Sequence, residues 1–99
     1  MVLVKPQFEA GKAEADKGRG IIRDPAVWRR TLGEVSDALI DRAAAIMGAM
    51  ASPITGGDGN VEFLLHARRL GPDEGPMEFD SGMLDAAVTE ATAAQGRLS

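Results

Sequence analysis

Ile46 to Arg68 reads IMGAMASPITGGDGNVEFLLHAR, two apolar runs on either side of a turn-rich segment. The second run, Val61 to Arg68, opens with β-branched and aromatic residues and predicts a strand. The first, Ile46 to Ala51, is short enough for a strand but follows Ala43, Ala44 and Ala45, which favour helix, so it fits a strand or a last helical turn. The reading adopted places a strand there. Between the runs, Ser52, Pro53 and the cluster Gly56, Gly57, Asp58, Gly59 and Asn60 supply turn residues, so the runs are expected to pair as an antiparallel hairpin.

Working outward, Val2 to Val4 is a continuous aliphatic run ended by Pro6. Without polar alternation it predicts a central strand buried on both faces, as in a parallel sheet covered by helices. From Pro6 to Arg23 no apolar period is present, and Gly11, Gly18 and Gly20 are interleaved with Lys12, Lys17 and Arg19, which predicts a mobile basic loop. Asp24 followed by Pro25 is a helix start, because the carboxylate accepts free amides and proline is tolerated in the first turn. Val27, Trp28, Leu32, Val35 and Leu39 then recur at helical spacing, so one amphipathic helix covers a sheet. Gly71 to Pro76 predicts a surface linker, and a last helix is expected from near Ser81, with Leu84, Ala87, Val88 and Ala91 on one side and Gly96 ending it. The order strand, loop, helix, strand, strand, helix is an incomplete α/β sheet. An aliphatic Val2–Val4 edge would invite aggregation unless covered, so the sequence reads as beginning in mid-domain.

Composition narrows the function. At 99 residues the chain makes one small domain, and 44% apolar with 26% charged residues lies in the globular range. It has no cysteine and one histidine, so no disulfide, thiol nucleophile or thiolate metal site exists, and no metal is expected. No stretch approaches the roughly 18 apolar residues of a spanning helix and no leader is visible, so a cytoplasmic protein without a membrane partner is expected. The net charge of −4 is uneven: residues 1–30 hold seven basic and four acidic side chains, net +3, and residues 31–99 hold four and eleven, net −7. A phosphate-facing surface therefore belongs in the first third; otherwise that third is a solvated basic loop.

Two residues stand out. Lys5 follows the aliphatic strand, where functional groups of open α/β sheets collect, and Pro6 stiffens its exit; the alternative is a strand-end lysine in water. Glu62 sits near the start of an apolar strand, on the face of Leu64 and His66, and needs a partner unless it reaches solvent past the glycine loop. If the two strands are neighbours, Lys5 and Glu62 form an ion pair. His66 lacks a visible partner for base chemistry and reads as structural. Trp28, Met47, Met50 and Phe63 lie at core spacings, and Arg68 with Arg69 marks a solvated strand end.

Four segments, Leu3–Gly11 (LVKPQFEAG), Arg23–Val27 (RDPAV), Ser52–Gly56 (SPITG) and Gly59–Leu65 (GNVEFLL), taken together resemble the TlyA hemolysin group within the FtsJ-like methyltransferases. The resemblance runs over about residues 2–68, and the tail from Leu70 carries no motif of the group. It implies a Rossmann-like, S-adenosylmethionine-dependent domain that follows an S4 RNA-binding domain and methylates ribose 2′-hydroxyls of ribosomal RNA. Of the group's lysine, aspartate, lysine, glutamate tetrad, it assigns the second lysine to Lys5 and the glutamate to Glu62 as catalytic residues. The first lysine, the aspartate and the glycine-rich cofactor loop are expected upstream of Met1, so no cofactor-binding residue is assigned. Residues 1–69 are then the C-terminal portion of the methyltransferase domain, and 70–99 its linker and last helix. Lys12, Lys17 and Arg19 are expected to contact RNA phosphates. Such a chain would be inactive alone. The other reading is a non-catalytic RNA-binding or assembly module that self-associates through an exposed sheet edge. No lysine-rich lytic helix supports membrane lysis.

Overall fold

The computed structural model describes residues 1–9, 22–52, 60–75 and 78–98. In chain order the elements are β1 (Val2–Val4), α1 (Pro6–Glu9), α2 (Pro25–Asp41), β2 (Ala44–Ala51), β3 (Phe63–Arg69) and α3 (Gly82–Leu98). β3 is the middle strand, with β1 and β2 antiparallel on either side. The expected hairpin pairing is present, from Ala44↔Arg69 to Ala51↔Phe63, with a bulge between Ile46 and Gly48. The tie from the Ser52 amide to the Glu62 carbonyl, 2.8 Å, carries the ladder one step further.

Local chemistry explains the boundaries. Asp24 Oδ1 accepts the Ala26 amide at 2.9 Å and Pro25 opens α2, as the sequence predicts. The helix ends at Asp41 because Ala43 adopts φ 62°, and the chain passes into β2 two residues earlier than expected. Asp80 Oδ1 accepts the Gly82 amide at 2.9 Å at the start of α3. Gly96 does not end α3, which continues to Leu98.

α2 and α3 pack on one face of the sheet. Val4, Phe63, Leu65 and Ala51, which share that face by register, are buried with Val27, Trp28 and Leu32 of α2 and Leu84, Ala87 and Ala91 of α3. Trp28 and Phe63 meet edge to face with centroids 5.9 Å apart, a favoured aromatic geometry. The Trp28 indole N–H donates to the Ile22 carbonyl at 3.1 Å, and the Ile22 amide donates to Asn60 Oδ1 at 2.9 Å. The Arg29–Asp85 pair at 2.7 Å joins the two helices.

Among the described residues nothing packs on the other face, which is bare. Leu3, Leu64 and Met50 line up across it by register, and Leu3 and Met50 are 45% and 42% exposed. This corrects three expectations. β1 is an edge strand in an antiparallel sheet, with Leu3 open to solvent, because among the described residues no layer covers that side. Met50 lies on the bare face by strand alternation, and Met47 is turned outward at the bulge, 46% exposed, so neither is a core residue. Pro6–Glu9 forms a helical turn where a loop was expected, the Phe8 and Glu9 amides donating to the Lys5 carbonyl at 2.9 and 3.1 Å. Among the described residues no helix is long and apolar enough to cross a membrane, and no group of three acidic or histidine side chains could hold a metal.

Candidate functional site

Register creates the site. Val4 pairs with Phe63, so the residue after β1 and the residue before β3 are cross-strand neighbours, and these are Lys5 and Glu62. Lys5 Nζ lies 3.4 Å from Glu62 Oε2, with the lysine side chain 42% exposed and that of Glu62 only 7%. Strand alternation puts both on the parity of Leu3 and Leu64, at one end of the bare face. The pair expected from strand adjacency is thus formed.

Gln7 completes the cluster and was not singled out from the sequence. Its Nε2 donates to the same Glu62 Oε2 at 2.9 Å, while its Oε1 is buried with no protein partner. The turn α1 makes this possible by folding residue 7 back over residue 62. The signal was present in Pro6, which begins a helical turn as readily as it ends a strand. A carboxylate this buried is held in place by a cation and an amide on one oxygen, which fixes its direction more firmly than either alone. The half-exposed ammonium can meet a substrate oxygen and stabilise the negative charge that develops there, and in its neutral amine form the same side chain can take that oxygen's proton.

Lys12, Lys17 and Arg19 lie outside the described residues. His66 is exposed and lines a shallow depression of about 280 Å³ with Met1, Gly48, Met50 and Leu64 on the bare face. A second depression, about 250 Å³, is lined by Glu9, Glu34, Val35, Leu39 and Arg42. Neither includes Lys5 or Glu62. At the far end of β3, Arg68 and Glu74 pair through two contacts of 2.9 and 2.8 Å. The Arg68 hydrogen bonds, followed by the Gly71 amide, lower the Glu74 pKa to about 2. Both side chains are solvated, as a strand-end arginine predicts.

The chain is 42% identical over 91 residues to a candidate rRNA methyltransferase, YqxC, of Bacillus subtilis, covering 92% of this chain and 32% of the relative. It is 39% identical over 66 residues to the 16S/23S rRNA (cytidine-2′-O)-methyltransferase TlyA of Mycobacterium tuberculosis, covering 67% of this chain and 24% of TlyA. The chain belongs to the TlyA hemolysin family. A solved structure of a candidate hemolysin from Streptococcus thermophilus superposes with a TM-score of 0.84 at 33% identity, over 96% of this chain and 33% of that one. The TlyA-family chain thus spans about a quarter to a third of the length of these relatives. No family model matches it.

Proposed function

We propose that this TlyA-family chain is the ribose-facing part of a Rossmann-like rRNA 2′-O-methyltransferase domain. The observation that carries the reading is the Lys5–Glu62 contact, 3.4 Å across a strand pair. It joins two motifs 57 positions apart, each matching the family. A ribose hydroxyl is a weak nucleophile. Lys5 is the group to take its proton or neutralise the alkoxide as it forms, and Glu62 holds the ammonium in direction, with Gln7 steadying the carboxylate.

S-adenosylmethionine is the methyl donor the relatives imply, and when bound it supplies an electrophilic methyl group. Neither of the two depressions described above contains Lys5 or Glu62. The 99-residue chain alone is expected to give no binding heat with S-adenosylmethionine in a calorimetric titration; one-to-one binding would overturn that part of the reading. The activity is tested in a chimera in which this chain replaces the matching third of the Bacillus relative. Methylation of ribosomal RNA is expected, falling about 10²–10⁴-fold in Lys5→Ala, the range for a positioned acid–base group. An unchanged rate in Lys5→Ala sinks the assignment.

The bare face formed by Leu3, Leu64 and Met50 favours a second reading, an assembly module that buries this face against another copy. Sedimentation velocity distinguishes the two: a monomer at all concentrations removes self-association.

A further inference from the structure

We propose that Phe8 is a stacking platform for an RNA base, seating the nucleotide whose ribose is presented to Lys5 and Glu62; the inference rests on the RNA-methyltransferase reading above. At 100° per residue, positions 6 and 8 of the single turn α1 point about 200° apart. Pro6 is accordingly buried and Phe8 is 74% exposed. The ring is not on a loose segment, because the Phe8 and Glu9 amides are both tied to the Lys5 carbonyl. Lys5 Nζ lies 6.0 Å from the ring centroid and 3.4 Å from Glu62 Oε2, so one ammonium borders both the aromatic face and the carboxylate.

Of the chain's four aromatic side chains, Trp28 and Phe63 are buried and Phe79 packs partly buried against the core, which leaves Phe8 as the one presenting its face to solvent. A protein segment laid on that ring would also strip water from the half-exposed Lys5 ammonium. RNA suits both groups at once, offering a π face to the ring and ribose or phosphate oxygens to the cation. The net charge of +3 over residues 1–30 favours the same partner.

The test follows binding of a short, fluorescein-labelled single-stranded RNA of mixed sequence to the 99-residue chain by anisotropy at low salt, with NMR of the Phe8 ring protons in parallel. Phe8→Leu keeps apolar bulk and removes the π face, whereas Phe8→Trp enlarges it; both sit at an exposed position and should melt as the wild type does. Phe8→Leu is expected to bind about tenfold more weakly with an unchanged salt slope, because a stack and no phosphate contact is lost. Phe8→Trp is expected to bind at least as tightly, with its indole emission quenched by RNA, and the wild-type ring protons should move upfield. Wild-type affinity in Phe8→Leu, or Lys5 amide shifts without ring shifts, overturns the platform and leaves the RNA reading standing. No RNA binding at NMR concentrations overturns both. A ring shift that grows with protein concentration alone places a second copy on Phe8 and also overturns it.

Discussion

The two faces of β3 differ at every step of one residue. Phe63 and Leu65 are buried beneath α2 and α3, while Leu64, between them, shares the uncovered side with Leu3, Met50 and the exposed His66. Stability is concentrated on the covered face, where aromatic and aliphatic side chains interdigitate, and the candidate chemistry lies at one end of the bare one. A carboxylate can be held beside a half-hydrated lysine there because, among the described residues, α1 alone roofs that end. On the covered face the same pair would lose its water and cost several kcal/mol.

The sharpest way to break this contrast is to truncate both faces of the one strand. Phe63→Ala should cost about 3–5 kcal/mol in urea unfolding, a large part of a small domain's stability. Leu64→Ala should cost roughly 1 kcal/mol or less, and an equal loss would mean the bare face is buried in solution. Glu62→Leu should lower stability by about 1–3 kcal/mol, because it leaves the Gln7 amide without its acceptor. If it proves neutral, the cluster is not a structural unit. Met50→Ser should change the unfolding midpoint little, since its side chain is already partly exposed to water.

The smallest effect belongs to the solvated end of β3. Glu74 titrates at about 2 in the folded chain against an ordinary 4.5, so its pairing adds stability at neutral pH that fades as pH falls from about 4.5 through about 2. Arg68→Met should flatten that part of the acid-unfolding curve and change little at pH 7. An identical acid limb in the variant would assign the acid sensitivity to other carboxylates.

Sequence alone was enough for the amphipathic α2, the apolar side of α3 and the β2–β3 pairing, because helical period, capping residues and turn clusters are local signals. Lys5 and Glu62 stand in two of the four quoted motifs, where the resemblance singled them out. What local signals could not carry was which strand β1 borders and which face is covered. Val2–Val4 reads as buried on both sides from its aliphatic character, yet Leu3 is open, since the number of layers over a strand depends on distant segments. The same blindness put Met47 and Met50 in the core. Gln7 was overlooked for a related reason: its role exists only when a helical turn brings it over a residue 55 positions away. Tertiary structure decided the pairing of Lys5 with Glu62, because a one-step change in the β1–β3 register would have sent the two side chains apart.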